Sequence, residues 1–155
     1  MTRRIGLISD THGQLRAEVH AALAGVDLIL HAGDVGGDEI LDELALIAPV
    51  QAVYGNTDAP GQPLLRESIE IDVEGVRIHV SHGHELGSPT PERLAARYDA
   101  DVIVYGHTHQ QLVTRVGEKL VVNPGAAGPR RFRLEPSVAV LTVDGGQAAV
   151  EIRPL

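Results

Sequence analysis

The chain has 155 residues, enough for one domain with a real core, and carries 21 acidic against 13 basic side chains, a formal charge of -8. That balance, with only Tyr54, Tyr98, Tyr105 and Phe132 as aromatics, argues against general nucleic-acid binding, and the absence of cysteine excludes disulfides and thiolate metal sites. Asp10 interrupts the first apolar stretch too early for a secretion signal, and no run reaches membrane-spanning length, so a cytoplasmic protein without membrane contact is expected.

Residues 3–9 read as a strand. Leu15, Val19, Ala22 and Leu23 then recur at helical spacing, with Gly25 closing the helix. A strand over 27–32 follows. Ile40, Leu41, Leu44 and Ile47 line one face of a second helix that stops before Pro49, and a strand over 50–54 comes next. This βαβαβ order implies parallel pairing with right-handed crossovers. The pattern then changes to a hairpin: Ile69, Ile71 and Val73 alternate with polar residues, Glu74-Gly75 turns, and Val76, Ile78 and Val80 alternate again. Thr90 caps a third helix, with Pro91 first, running to about Tyr98. A strand over 102–105 precedes further strands near 112–116, 119–122, 138–143 and 148–152, with Asp144-Gly145-Gly146 as a turn. Residues 55–65 and 123–137, rich in Gly and Pro, read as loops. Nine or ten strands are too many for one small open sheet. The expectation is an α/β (α+β) fold with two packed mixed β-sheets flanked by helices, in a single domain spanning 1–155.

Five apolar strands end on metal-competent side chains: Asp10-Thr11-His12, Gly33-Asp34, Gly55-Asn56-Thr57-Asp58, His82-Gly83-His84 and Gly106-His107-Thr108-His109. Singly, each is a plausible turn or cap residue. Together they place Asp10, His12, Asp34, Asn56, His82, His107 and His109 outside the carboxyl ends of strands, where open α/β sheets bind ligands. Seven oxygen and nitrogen ligands exceed one tetrahedral site. Two ions sharing a bridging carboxylate would use them all, and such pairs recur in phosphoester hydrolysis. These ligand types suit manganese, iron, nickel, cobalt or zinc, and manganese is the expected ion.

In order and spacing, these motifs resemble the signature of the calcineurin-like metallophosphoesterases, and the short chain is most similar to their small bacterial and archaeal phosphodiesterase branch. The resemblance runs from residue 5 to about residue 131 and includes Asn123-Pro124-Gly125. It implies a four-layer αββα sandwich. It implies one ion held by Asp10, His12 and His109, another by Asn56, His82 and His107, and Asp34 between them. It implies a small phosphoester substrate, a diester before a monoester, attacked by a metal-bound hydroxide. Asp58 and His84 would orient ligands or hold substrate. Larger members carry a protonating His directly after the ligand Asn, whereas this chain has Thr57, a poor general acid near neutral pH. His84 is then the candidate acid. The alternative implied by the same fold is a non-enzymatic scaffold, as in the retromer subunit of eukaryotes, but no ligand position is lost here.

Of the other histidines, His31 reads as a hydrogen-bonded histidine of the core or of the ligands' surroundings. His20 reads as solvent-facing, and His79 as a structural residue on the polar face of the hairpin. Arg130, Arg131 and Arg133 surround Phe132 and read as a solvated cluster offsetting the acidic surface, with a phosphate clamp, Arg130 first, as the alternative. Gly33, Gly36 and Gly37 read as turn glycines around Asp34, and no GxxxxGK[ST] loop is present. The oligomeric state stays open.

Overall fold

The computed structural model describes residues 1–59, 61–131 and 133–155. Among them are eleven strands and three α-helices, in the order β1 (Arg3–Ile8), α1 (Glu18–Ala22), β2 (Leu28–His31), α2 (Asp38–Leu44), β3 (Val50–Val53), β4 (Leu65–Arg66), β5 (Ile69–Val73), β6 (Val76–Val80), α3 (Pro91–Arg97), β7 (Val102–Val104), β8 (Leu112–Val116), β9 (Lys119–Asn123), β10 (Ser137–Asp144) and β11 (Gln147–Pro154). A 3-10 turn at His84–Leu86 precedes α3.

The strands form two mixed sheets, one ordered β11-β10-β1-β2-β3-β4 and the other β5-β6-β7-β9-β8. β1, β2 and β3 pair in parallel, as the βαβαβ pattern requires, while β10 closes antiparallel on β1. Period-two alternation decides which side chains meet. Ile5, Leu7, Leu30 and Ala32 point between the sheets and pack with Ile78, Val80, Val102, Val104 and Val122. Ile8 and Ile29 point the other way, onto Val19, Leu23, Ile40, Leu41 and Leu44 of the α1–α2 layer. Leu94 and Ala95 of α3 cover Ile103, Tyr105 and Val121 on the outside of the second sheet. Three apolar layers between four layers of structure make the αββα sandwich.

Some local expectations are corrected. β4 begins on Leu65, the last residue of the segment expected as loop: Leu65 and Arg66 are only two residues and carry no alternation, so their pairing with β3 is invisible in sequence. The first two helices are shorter than their apolar periodicity, because Leu15, Leu23 and Ile47 pack from non-helical residues flanking α1 and α2. His79 is not on a solvated face. It is 1% exposed, stacked on Tyr98 with ring centroids 3.7 Å apart, and its Nδ1 lies 3.1 Å from Glu70 Oε1. Tyr98, just beyond the end of α3, covers that face of the hairpin. The role of His79 is still structural. No described helix is long and apolar enough to cross a membrane.

Candidate metal centre

The seven candidate ligands, from five chain segments, converge at the carboxyl ends of β1, β2, β3, β6 and β7. Their ring nitrogens and oxygens form one contiguous cluster. His12 Nε2 lies 3.3 Å from His109 Nε2 and 3.5 Å from Asp10 Oδ1, and His109 Nε2 lies 3.2 Å from the same oxygen. Next to this group, Asn56 Oδ1 lies 3.1 Å from His82 Nε2 and 3.1 Å from His107 Nδ1. Asp34 Oδ2 stands between the two groups, 3.2 Å from His82 Nε2 and 3.7 Å from His12 Nε2. Atoms about 2.1 Å from a common ion stand roughly 3.0–3.4 Å from one another in octahedral or tetrahedral shells, so these spacings are close to those of donors around ions. Asp10-His12-His109 and Asp10-Asp34-His82 are both groups able to hold a metal.

The backbone is bent to make this possible. Six non-glycine residues among those described have positive φ, and five of them are Asp10 (55°), His12 (47°), Asp34 (54°), His107 (71°) and His109 (63°). Such conformations cost of order 1–3 kcal/mol each and cluster at functional sites. The sixth, Glu74 (47°), is the hairpin turn. Two motif glycines allow close approach: a Cβ on Gly55 would collide with the Asp34 carboxylate, and one on Gly106 with Ser9 and Asp10. Hence Gly stands before Asn56 and before His107.

Hydrogen bonds aim the donors. Asp10 Oδ2 accepts from the Ser9 hydroxyl at 2.6 Å and from the His107 amide at 3.1 Å, while its buried Oδ1 has no partner. An orphaned carboxylate oxygen facing two imidazoles is what a cation would satisfy. Asp34 Oδ1 accepts the Thr57 amide at 2.9 Å, freeing Oδ2 for the cluster. His82 Nδ1 lies 2.8 Å from the Ala32 carbonyl, to which it donates, so Nε2 is the nitrogen that faces the cluster. Burial pushes the Asp10 carboxyl toward neutrality, but the nearby His109 and His12 imidazoles, the charge of His82 and the Ser9 hydroxyl hold its pKa well below the usual range. Burial of Asp34 is likewise outweighed by His82 and the Thr57 amide, taking its pKa to about 2. His82 is raised because the two carboxylates outweigh its burial, and His107 is lowered by burial and by neighbouring His82. Both acids therefore present anionic oxygens at neutral pH.

The remaining predicted residues divide. Asp58 accepts the amides of Val35 (3.1 Å), Gly36 (3.1 Å) and Gly55 (2.8 Å), so it ties the Asp34 loop to the Asn56 loop. His84 flanks the cluster, its ring centroid 5.3 Å from that of His82 and 6.4 Å from that of His107. Thr57 is exposed and enters through its amide. Arg130, Arg131 and Arg133 are exposed, and Phe132 lies outside the described residues. The Arg130 loop is near the centre through its backbone, since the Gly128 amide donates to the Asp10 carbonyl at 3.2 Å. His31 is buried among hydrogen bonds, and His20 is 3.7 Å from Glu43 at the surface.

Two supporting residues were missed. Ser9 holds Asp10, and Asn123 holds the Gly-His-Thr-His loop by donating to the Gly106 carbonyl at 3.1 Å and to Thr108 Oγ1 at 3.0 Å. The Asn123-Pro124-Gly125 signal was visible, but nothing in sequence says which loop it supports. A cleft of about 300 Å³, lined by Arg3, Asp27, Asp72 and Glu74, lies at the opposite ends of β1 and β2, away from this centre.

Comparison with known proteins agrees with the geometry. Residues 4–146 match the calcineurin-like phosphoesterase superfamily domain. The chain is 37% identical to a probable metallophosphoesterase of Methanothermobacter thermautotrophicus, over 96% of this chain and 90% of that one. It is 32% identical to an Escherichia coli phosphodiesterase, over 76% of each chain. Its fold is similar to that of Vps29 from Entamoeba histolytica complexed with zinc, with a TM-score of 0.80, 26% identity and 98% coverage of both chains. A donor cluster fit for divalent ions, at strand ends of this sandwich and in a chain so related, makes the protein a metal-dependent phosphoesterase and a member of the calcineurin-like phosphoesterase superfamily.

Proposed function

We propose that the protein is a dinuclear phosphodiesterase acting on a small phosphoester, with Asp10, His12 and His109 at one ion, Asn56, His82 and His107 at the other, and Asp34 shared. The observation that carries this reading is the position of Asp34 Oδ2, 3.2 Å from His82 Nε2 and 3.7 Å from His12 Nε2. Asp10 Oδ1 also approaches His82, but at 3.9 Å against 3.2 Å from His109, so Asp10 is assigned to one ion. When bound, the ions supply an activated water and draw charge from the phosphoryl oxygens. The chain's own residues hold the donors in register: Ser9 fixes Asp10, the Ala32 carbonyl fixes His82, and Asp58 fixes two loops at once. His84, beside His82 and His107, is the candidate proton donor to the leaving oxygen, since Thr57 supplies only a hydroxyl. Manganese is the proposed ion and the cytoplasm the proposed location. The preference for diesters rests on relatives named phosphodiesterases.

The test is a screen of protein reconstituted with manganese, and in parallel with iron, nickel, cobalt or zinc, against phosphodiesters and phosphomonoesters. Hydrolysis of diesters ahead of monoesters, abolished by chelation, is expected. Monoesters turned over faster, or no turnover with any of the five candidate metals, contradicts the reading.

A further inference from the structure

Beside the metal centre lies a cavity of about 120 Å³, lined among others by Tyr54, Ser81, His84, Glu85, Arg97 and Tyr98. It borders the centre through the chain itself. Ser81 immediately precedes His82, His84 follows it by two, and Tyr54 stands two before Asn56. The His84 ring lies between, 6.3 Å from the Tyr54 ring and 5.3 Å from that of His82.

The lining is polar and incompletely satisfied. Ser81 is 2% exposed, and its hydroxyl lies near Glu85 and Tyr98 without meeting hydrogen-bond geometry with either. His84 Nδ1 is also buried without a partner. Next to them the Tyr98 hydroxyl donates to Glu85 Oε2 at 2.6 Å, which leaves the phenolic oxygen free to accept. Buried polar groups without partners are rare, and each calls for an explanation. An engineered apolar cavity of about 150 Å³ holds a benzene-sized ligand, so this one suits a group of similar or slightly smaller size. Apolar ligands would leave the Ser81 and His84 atoms unpaired. Hydroxyl groups, which both donate and accept, would satisfy them.

We infer that this cavity is the subsite for a small hydroxyl-rich ester substituent, glycerol in size, on the phosphate compound that the metal centre binds. The inference rests on the reading of that centre as a phosphoester site, and it goes further by naming the alcohol. Two added hydrogen bonds of ordinary net strength correspond to about a thirtyfold gain in affinity.

The experiment is calorimetric titration of manganese-loaded protein with glycerol 3-phosphate, propyl phosphate and inorganic phosphate, in wild type and Ser81→Ala. Glycerol 3-phosphate should bind about thirtyfold tighter than propyl phosphate, and Ser81→Ala should reduce that ratio to about five. A crystal structure of the glycerol 3-phosphate complex should place the polyol against Ser81. Equal affinities in wild type, a ratio unchanged in Ser81→Ala, or a polyol directed into solvent overturns the subsite. Binding of inorganic phosphate alongside any of these leaves the metal-centre reading standing. Failure of all three ligands to bind overturns both.

Discussion

Asp34 is the residue on which the two halves of the site depend. If it is shared, Asp34→Asn removes negative charge from both ion positions at once, whereas Asn56→Ala removes a neutral donor from one. Asp34→Asn should therefore lower metal affinity and activity more, as read by metal titration and kcat/KM on one diester. Equal losses, or a milder loss at Asp34, count against sharing. Thr57 makes a second residue-level prediction. Without a tuned acid, departure of the leaving oxygen depends on its own basicity, and general acid catalysis contributes about 10²–10⁴-fold. Aryl diesters should be turned over much faster than alkyl diesters, and Thr57→His should narrow the gap. A flat series in wild type would assign the proton to another donor, His84 first.

His31 gives the pH dependence. The Gly33 amide donates to its Nδ1 at 3.1 Å, so the ring proton is on Nε2 and is donated to Thr11 Oγ1 at 3.0 Å, whose hydroxyl donates to the Val35 carbonyl at 2.7 Å. The neutral ring is fully satisfied. Burial, only partly offset by Asp10 and Asp58, lowers its pKa to about 4. The unfolded chain, with an ordinary histidine, binds the proton more tightly. The stabilisation is thus complete above about pH 6.5 and is lost as pH falls toward 4. Metal-free protein should lose about 2 kcal/mol between pH 7 and pH 5 through this residue, as read by urea unfolding, and His31→Gln should flatten that slope. An unchanged slope in the variant would assign the loss elsewhere.

At the scale of elements, the site is a set of strand ends held by loops, and loops differ in what sequence discloses. The motif residues were legible because an apolar run followed by Asp, Asn or His at five strand ends has no packing explanation. The strained turns were not, since positive φ at His107 and His109 leaves no mark in residue type, and the close approach of Gly106 to Ser9 and Asp10 joins positions far apart in sequence. β4 and the His84–Leu86 turn escaped because two or three residues carry no periodicity. Asn123 tests how much a distant support matters. Asn123→Ala leaves the buried Gly106 carbonyl without its side-chain donor and removes the acceptor of the Gly125 amide (2.9 Å). The expected cost is about 1–3 kcal/mol of stability, with metal affinity weakened although no proposed ligand has changed. Unaltered metal binding would mean that the backbone alone holds the Gly-His-Thr-His loop.

For the whole molecule, the sandwich explains why one chain can gather donors from five places. The sheet edges carry their strand ends to one rim, while the apolar layers between Ile5, Leu7, Ile78 and Val104 hold the two sheets in register. Both layers were legible from alternation and βαβ order, but the order of strands within each sheet was not, because the crossing of β10 to β1 depends on contacts over more than a hundred residues. The central claim is that this rim holds a pair of ions with Asp34 between them. Elemental analysis of the fully loaded protein, with anomalous scattering from its crystals, tests it directly. Two equivalents per chain and two peaks about 3.5–4 Å apart are expected, with Asp34 Oδ2 between them. One equivalent with a single peak would contradict the dinuclear account.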